Sequence, residues 1–488
     1  MQERPELKLS GALDLAPALE SHKVKVPEHC GHYIDGALRL GKPETYFSNL
    51  NPSTGMPLGT VAAADEEEVD QAVKAARAAF PGWSGLSGLE RGKYLFRIAR
   101  RMQERERDLA VVETIDNGKP IRETRDIDVP LAAGHFFYYA GWADKLEYAS
   151  GGKPVRPLGV AGQIVPWNFP ILMLAWKLAP ALATGNTCVI KPAETTPLSA
   201  MLLAEILDEV GLPKGVVNIV NGPGTTGAAI VNHPDIDKIS FTGSTPVGRM
   251  IMKSIAGSGK KATMELGGKS ANIVFADAAL DQAVEGVVTG IFMNQGHVCC
   301  AGSRLLVEES IKDEFLARLK RRILTLKIGD PLDKNTDIGA INSPKQFATV
   351  QRYIKLGVEE GGTLWQGAAC DAPDEGFWVL PTLLTDVHPS DTVVREEIFG
   401  PVLSVLTFRT PDEAVQKANN SEYGLAAGVW SEKTSKLFSV AHRLNAGVIW
   451  VNGYNMFDPA SPFGGMRHSG FGREGGVAGL WPYMEVVR

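Results

Sequence analysis

The chain carries a cysteine and a glutamate whose types together suggest covalent chemistry. Cys299 lies in Phe-Met-Asn-Gln-Gly-His-Val-Cys-Cys-Ala-Gly-Ser-Arg at 292–304, and Glu265 opens Glu-Leu-Gly-Gly-Lys at 265–269. A thiolate can attack an electrophilic carbon, and a carboxylate can activate the water that later releases the acyl group. Taken alone, Cys299 and Cys300 are equally compatible with two buried, inert thiols, which is the commonest state of free cysteine.

Composition predicts a multidomain globular protein. The chain has 488 residues, more than one hydrophobic core usually serves, so we expect two or three domains. Apolar residues make up 44% and charged residues 22%, which excludes disorder as the main state. The net charge of −6 provides no positive field, and we expect no nucleic-acid partner.

Cysteine usage and hydropathy predict a cytoplasmic protein. The five cysteines are an odd number and mostly far apart, which is no disulfide framework and favours a reducing compartment. The N-terminus lacks the basic and apolar regions of a signal peptide. The longest apolar stretch, 169–183, contains Lys177 and two prolines and is too short to cross a bilayer, so we expect no membrane partner.

One segment has a weak metal-ligand spacing. His29-Cys30-Gly31-His32 could hold a metal ion, but polar turn residues are the better interpretation. We therefore predict no metal site.

Helical and strand patterns alternate along the chain. Asp65, with Glu68 three residues on, forms a capping box before a helix. Residues 89–112 predict one long helix with a solvated, charged face. Helices separate short apolar strands, and this rhythm predicts parallel sheets that bind ligand at the carboxyl ends of their strands. The predicted strands lie at 159–165, 187–191, 216–220 and 238–242, and then at 271–275 and 304–307.

A glycine turn follows the fourth of these strands. Phe241-Thr-Gly-Ser-Thr-Pro-Val-Gly248 precedes a helix predicted over 249–255. Such a turn can present backbone amides to a pyrophosphate at a helix N-terminus. The spacing alone is weak evidence, and the absence of a Walker lysine argues against an ATP-binding loop.

Seven short motifs are spread along the chain: Pro166-Trp-Asn-Phe-Pro170, Lys191-Pro-Ala-Glu194, Phe241-Thr-Gly-Ser-Thr245, Glu265-Leu-Gly-Gly-Lys269, Asn294-Gln-Gly-His-Val-Cys299, Glu396-Glu-Ile-Phe-Gly-Pro401 and Ser461-Pro-Phe-Gly-Gly465. They occur in the order found in the aldehyde dehydrogenase superfamily, which the chain resembles over roughly residues 30–488.

The resemblance implies an α/β fold with a Rossmann-type cofactor-binding domain, a second α/β catalytic domain and a small β bridging and oligomerisation element. We expect the NAD-binding domain at 1–134 and 158–266 and the catalytic domain at 267–465. The bridging element would take 135–157 and 466–488, with a hairpin around 142–155. A homodimer or homotetramer is implied, and the arm 1–27 matches no motif.

Three catalytic residues are assigned by the resemblance. Cys299 resembles the nucleophile that attacks an aldehyde to give a thiohemiacetal and then a thioester. The side chain of Asn168 and the Cys299 N–H would hold the oxyanion. Glu265 resembles the general base that activates the hydrolytic water. Cys300 is expected to be structural.

Cofactor residues are assigned in the same way, and they favour NAD. Lys191 and Glu194 resemble the pair that binds the adenosine ribose, where a carboxylate accepts from a free 2′-hydroxyl and repels a 2′-phosphate. The resemblance places the other cofactor contacts at Ile164, Pro166, Trp167, Gly243, Ser244, Glu397 and Phe399.

The residues expected to line the substrate tunnel are all apolar. No Arg or Lys among them would fix a carboxylate or phosphate, so the implied substrate is an uncharged aliphatic or aromatic aldehyde. They are Phe169, Met173, Trp176, Met293, Val298, Met456, Phe457 and Phe463.

Two other functions stay open at this point. An acylating dehydrogenase would pass the thioester to coenzyme A, but such enzymes usually lack the carboxylate found at Glu265. A non-catalytic structural or binding relative would be expected to have lost Cys299. His297 departs from the glutamine usual in the family, and a neutral residue bracing the loop is preferred to an imidazolium that lowers the thiolate pKa.

Overall fold

The computed structural model describes residue 24 and residues 26–487. The arm 1–27 therefore lies almost wholly outside the described residues. Two large sheets organise the described chain, one of eight strands and one of seven. The expected α/β class with two sheet domains is confirmed.

The eight-stranded sheet has five central parallel strands with antiparallel strands at both edges. The strands predicted between 159 and 242 are confirmed to within one residue at each end. In spatial order the sheet contains Gly470–Phe471, Lys261–Glu265, Lys238–Thr242, Val160–Ile164, Thr187–Lys191, Val217–Ile219, His32–Ile34 and Ala37–Arg39.

The strand order reverses between Val160–Ile164 and Lys238–Thr242, which are hydrogen-bonded neighbours. Chain connections leave these two strands in opposite directions, so a crevice opens at their carboxyl ends. Open α/β sheets bind ligand at such a switch point.

Helices cover both faces of this sheet. The helix Glu66–Ser84 begins with the predicted capping box, since Asp65 accepts from the Glu68 N–H and the Glu68 side chain accepts from the Asp65 N–H. The helix Pro170–Ala183 is buried along its whole length, which explains the long apolar stretch. The other helices are Gly88–Glu104, Glu106–Asn117, Ile121–Glu123, Val129–Ala140, Leu146–Ala149, Leu198–Glu209, Gly224–Asn232 and Thr245–Ile255.

Two helix predictions were wrong in their bounds. The single helix expected over 89–112 is two helices that break at Arg105. The Arg105 guanidinium binds Glu205 and Glu209 on another helix, so the charged face is partly an inter-helix contact. The helix after the glycine turn begins at Thr245 rather than at 249, because a proline at the first turn suits helix initiation.

The seven-stranded sheet is parallel except for one edge strand. The predicted strands at 271–275 and 304–307 are confirmed as Ala271–Val274 and Arg304–Glu308. In spatial order the strands are Thr363–Gln366, Thr382–Thr385, Val402–Phe408, Arg304–Glu308, Ala271–Val274, Ala426–Trp430 and Val448–Val451. The helices are Leu280–Phe292, Lys312–Ile323, Pro344–Glu359, Thr392–Arg395, Pro411–Asn419 and Thr434–Ala441.

The predicted bridging segments need two corrections. Val155–Pro157 pairs with Met484–Val486 as a two-stranded antiparallel sheet, and residues 142–155 form turns and a short helix instead of a hairpin. Gly470–Phe471 pairs with the edge of the eight-stranded sheet instead of the bridging element. The other domain boundaries stay predictions.

A small three-stranded sheet contains His29–Cys30, Pro57–Val61 and Phe47–Leu50. Among the described residues no helix has the length and apolarity that a bilayer crossing requires.

Candidate active site

A cavity of about 700 Å³ opens at the carboxyl ends of the switch-point strands, and both large sheets contribute to its walls. The structure brings every predicted catalytic and cofactor residue to this cavity, together with all predicted substrate residues except Met456. The cavity has the size and mixed lining of a small-molecule site.

Cys299 lies partly exposed at the cavity, at the end of an unusual loop. The helix Leu280–Phe292 stops, and Asn294, Gln295 and Gly296 then adopt φ values of 47°, 52° and 75° in succession. A Cβ on Gly296 would lie 2.1 Å from the Gly400 carbonyl oxygen, so only glycine fits there. This turn directs the chain from the helix back to the cavity.

Cys300 is fully buried beside it. Burial and the neighbouring Cys299 raise the pKa of the Cys300 thiol well above its usual range. The Tyr454 hydroxyl donates to the Cys300 carbonyl oxygen at 2.8 Å. Cys300 therefore has the surroundings of a structural residue, and Cys299 is the accessible thiol of the pair.

The buried Asn168 side chain is hydrogen-bonded to the loop that carries Cys299. Its Nδ2 donates to the His297 carbonyl oxygen at 2.8 Å, and Asn294 Nδ2 donates to the Asn168 carbonyl oxygen at 2.6 Å. A side-chain amide has two N–H donors, so one remains for a ligand oxygen. Asn168 and the Cys299 loop are thus held to each other.

Glu265 is the last residue of the strand Lys261–Glu265, at the carboxyl edge of the sheet. Its side chain is buried against the cavity, and neither carboxyl oxygen has a hydrogen-bond partner in the described chain. Burial and the charge of Glu474 raise the pKa of this carboxyl well above its usual range. An unpaired carboxylate with a raised pKa is a stronger base than an ordinary one.

A buried ion pair beside Glu265 was missed by the sequence analysis. Lys177 Nζ contacts the Glu474 carboxylate, which also accepts from Ser240 Oγ at 3.1 Å. Glu474 lines the cavity, and Lys177 comes from the middle of the fully buried helix Pro170–Ala183. The only sequence signal was the lysine that interrupts the apolar stretch.

His297 is fully buried and packs against two aromatic rings. Its ring centroid is 4.8 Å from that of Trp167 and 5.9 Å from that of Phe399. Burial, aided by the charge of Lys119, lowers the pKa of His297 to about 3. The imidazole is therefore neutral, as in the preferred interpretation.

The cofactor end of the cavity is formed by the starts of two helices. Gly224 and Gly227 belong to Gly224–Asn232, and Gly243 and Ser244 precede Thr245–Ile255. Helix N-termini with small residues present free N–H groups to an anion. Ser244 makes no side-chain cap, so its hydroxyl is not committed to the helix.

Lys191 and Glu194 flank this anion-binding end. Lys191 is buried and donates to the carbonyl oxygens of Pro192 and Gly222 at 2.7 and 2.9 Å. Its Nζ is 3.6 Å from the largely exposed carboxylate of Glu194. Glu194 is therefore free to accept from a ligand hydroxyl.

Glu397 and Phe399 reach the cavity from the seven-stranded side. Glu397 Oε1 accepts from the Gly268 N–H at 2.9 Å, and burial raises the pKa of Glu397 to about 7. Phe399 has a φ of 59°, which a non-glycine residue seldom adopts. The Gly268 N–H thus holds the Glu397 side chain, and an unusual backbone conformation sets the position of Phe399.

The substrate end is aromatic. The Trp176 ring centroid is 5.4 Å from that of Phe463 and 6.3 Å from that of Phe457. Met456 is 69% exposed and lies outside the cavity lining, whereas its neighbour Phe457 belongs to that lining. Ile127 and Leu172 line the cavity and were not predicted.

The His29–His32 segment has ordinary partners. The His29 ring contacts Thr60 Oγ1 at 2.8 Å, and His32 Nδ1 accepts from the Asn221 N–H at 3.1 Å. Within the described ranges, no group of three or more His, Cys, Asp or Glu side chains could hold a metal ion.

Comparison with known proteins accounts for this constellation. The model of the aldehyde dehydrogenase family matches residues 40–488. The chain is 47% identical over 457 residues to the mitochondrial aldehyde dehydrogenase of Homo sapiens, covering 90% of this chain and 87% of that one. An aldehyde dehydrogenase of Aspergillus niger is 44% identical over 478 residues, covering 95% of each.

A solved structure gives the same result. The NAD⁺ complex of aldehyde dehydrogenase from Bacillus cereus superposes with a TM-score of 0.91 at 41% identity, covering 100% of this chain and 98% of that chain. The chain belongs to the aldehyde dehydrogenase family.

Proposed function

We propose that this protein oxidises an uncharged aldehyde to its carboxylic acid, with NAD as the hydride acceptor. The observation that carries the proposal is the meeting of Cys299, Asn168 and Glu265 at one cavity, where the Glu265 carboxyl has no hydrogen-bond partner among the described residues. Covalent thiol catalysis of aldehyde oxidation needs these three functions: a nucleophile, an oxyanion donor and a base for hydrolysis.

The first half of the reaction belongs to Cys299 and Asn168. The Cys299 thiolate would attack the carbonyl carbon and form a thiohemiacetal. The second N–H of the Asn168 amide and the Cys299 main-chain N–H would stabilise the oxyanion. One such donor typically lowers the barrier by about 2.7–4 kcal/mol.

The second half belongs to Glu265. NAD, when bound, supplies the acceptor for the hydride that leaves the thiohemiacetal, and a thioester remains on Cys299. Glu265 would take a proton from water as the water attacks that thioester. The acid departs and the Cys299 thiolate is restored. General-base assistance of this kind contributes about 10²–10⁴ in rate.

The cavity residues fit NAD. Two helix N-termini at one end suit a pyrophosphate, and the exposed Glu194 carboxylate suits a free ribose hydroxyl. Glu397 and Phe399 would contact the nicotinamide riboside, and Ile164, Pro166 and Trp167 would form the cavity wall beside it. The same Glu194 charge would repel the 2′-phosphate of NADP, so NAD is favoured.

The substrate end supports an uncharged aldehyde. Phe169, Met173 and Trp176 lie on one helix and its start, and Met293, Val298, Phe457 and Phe463 come from other parts of the chain to line the same cavity. Transfer of the thioester to coenzyme A is disfavoured because Glu265 is present at the cavity. A non-catalytic role is disfavoured because Cys299 is partly exposed there.

We also propose a cellular location and an oligomeric state. All five cysteines are free, which supports a reducing cytoplasm. Trp481 and Tyr148 are 58% and 81% exposed close to the two-stranded sheet, and these apolar surfaces support assembly as a homodimer or homotetramer.

The test follows NADH absorbance with a panel of aldehydes, with and without coenzyme A. Wild type should form NADH without coenzyme A, and Cys299→Ala should form none. The matched control Cys300→Ala should keep most of the activity. Loss of activity in Cys300→Ala with retention in Cys299→Ala would overturn the assignment.

Glu265→Gln separates the two halves of the reaction. It should give a burst of about one NADH per site and then turn over slowly, because hydride transfer does not need the base. In wild type, turnover should fall as pH drops through the raised pKa of Glu265, since a neutral carboxyl takes up no proton. A Glu265→Gln enzyme with wild-type turnover would contradict this role.

A further inference from the structure

A cluster of four buried ionisable side chains lies behind the candidate oxyanion site. Glu113, Lys119 and Asp128 are 0% exposed and Glu123 is 7% exposed. None of the four lines the cavity, so direct contact with substrate does not explain them. Burying charged groups is costly unless each has a defined partner.

Lys119 is the cation of this cluster. Its Nζ donates to Asp128 Oδ2 at 2.6 Å and lies 3.9 Å from the centroid of the Phe169 ring. Phe169 follows Asn168 directly, so this cation–π contact holds the chain on the C-terminal side of Asn168. Glu113 accepts from the Ile171 N–H at 3.1 Å, at the start of the helix that follows.

Glu123 binds the segment that leads to Cys299. Its Oε2 accepts from the Asn294 main-chain N–H at 2.9 Å. Asn294 follows the end of a helix, and Met293 before it has a ψ of 136°, so the buried Asn294 N–H is turned away from any helical acceptor. A buried N–H needs an acceptor, and this carboxylate provides it.

Hydrogen bonds connect Asn294 to the candidate oxyanion site. It donates through Nδ2 to the Asn168 carbonyl oxygen, and Asn168 donates through Nδ2 to the His297 carbonyl oxygen, two residues before Cys299. These bonds connect the two donors expected to hold the oxyanion. The orientation of both donors therefore depends on where Asn294 is held.

We propose that Glu123 is a positioning residue for the oxyanion site, acting through Asn294 on Asn168 and the Cys299 loop. The inference rests on the proposed aldehyde oxidation. Glu123 neither touches the substrate nor moves a proton. The proposed role requires only an acceptor oxygen at the end of a side chain as long as that of glutamate.

Asp116 provides a matched control. It is 1% exposed and accepts a main-chain N–H, that of Leu198, at 2.9 Å. Burial raises the pKa of Asp116 and of Glu123 to about 7 in each case. Its partners are Asn49 and Leu198, away from Asn294.

The experiment measures the single-turnover rate of NADH formation, the KM for NAD and the thermal midpoint in full-length variants. Glu123→Leu should slow NADH formation about 10²-fold, the loss expected from a misplacement of about 1 Å, with the KM for NAD within about three-fold of wild type. Glu123→Gln keeps an acceptor oxygen and should retain most of the rate. Asp116→Leu should lower the thermal midpoint without slowing NADH formation.

Three results would overturn the proposal: a wild-type rate in Glu123→Leu, equal slowing in Glu123→Gln and Glu123→Leu, or equal slowing in Asp116→Leu. If Glu123→Leu does not fold, Glu123→Asp replaces it, because its shorter side chain should lose the Asn294 bond and be slow as well. Failure of wild type to form NADH with any aldehyde would instead reject the proposed function.

Discussion

Cys299 and Cys300 are adjacent in the chain but have opposite surroundings, and the difference in burial separates their proposed roles. Cys299 is partly exposed at the cavity, whereas Cys300 is enclosed and its thiol pKa is raised. Thiolate reactivity depends on access, so the accessible Cys299 is the proposed reactive residue and Cys300 the structural one. The same reasoning separates Glu265, unpaired at the cavity, from Glu123, paired behind it.

His297→Gln should leave the pH profile of Cys299 alkylation by iodoacetamide in place. The pKa of His297 is lowered to about 3, so the imidazole is neutral throughout the working range and carries no charge to stabilise a thiolate. The rate should change at most modestly. An upward shift of the profile in His297→Gln would mean that the histidine is charged in the wild-type protein.

At the residue scale the sequence predicted contacts that belong to motifs and missed those made only by tertiary packing. Cys299, Glu265 and Glu194 stand in recognisable segments, and all three reach the cavity. Glu474, Lys177 and Glu123 come from distant parts of the chain, and no local spacing relates them. Met456 was predicted together with its neighbour Phe457, but only Phe457 lines the cavity.

At the element scale, the loop Asn294-Gln295-Gly296 directs Cys299, the proposed nucleophile, back toward the cavity. Three successive left-handed residues are strained for side chains other than glycine, and surrounding bonds hold them. Gln295 is fixed by donation to the Ala340 carbonyl oxygen at 2.9 Å. The strained backbone therefore lies just before the proposed catalytic residue, Cys299.

Gly296→Ala should destabilise the protein and abolish most activity. A Cβ at this φ of 75° costs about 1–2 kcal/mol, and it would also meet the Gly400 carbonyl oxygen at 2.1 Å. Gly257→Ala is the control, since Gly257 has a φ of 77° and nothing lies within 4 Å of its added Cβ. Denaturant unfolding and kcat should separate the two variants, and equal activities would contradict the steric argument.

The same scale explains which elements could be predicted. Short apolar strands between helices gave the parallel strands within one residue, because burial on both faces demands such runs. The break at Arg105 follows from contacts with Glu205 and Glu209, which local sequence does not reveal. The start at Thr245 could have been predicted from Pro246, since proline favours the first turn of a helix.

At the scale of the whole molecule, the cavity lies where the two large sheets face each other. Lys191, Glu194 and Ser244 come from the eight-stranded side, and Glu397 and Phe399 come from the seven-stranded side. A ligand that touches both walls adds its binding free energy to the folded state. Cofactor binding should therefore be visible in global unfolding.

NAD at about 100 times its Kd should stabilise the folded protein by about 2.7 kcal/mol and raise the thermal midpoint. NADP at the same concentration should raise it less, because Glu194 repels the 2′-phosphate. Glu194→Gln should narrow the difference between the two cofactors. Equal midpoints with NAD and NADP in wild type would argue against the ribose assignment.

The edge strand Gly470–Phe471 has a consequence for biosynthesis. It pairs with Met264 and Glu265, and the whole seven-stranded sheet lies between these partners along the chain. At translation rates of about 5–20 residues per second, the strand that carries Glu265 leaves the ribosome roughly 10–40 seconds before its last neighbour. Throughout this interval the strand Lys261–Glu265 has no partner on that side, and an unpaired strand edge favours aggregation of the nascent chain.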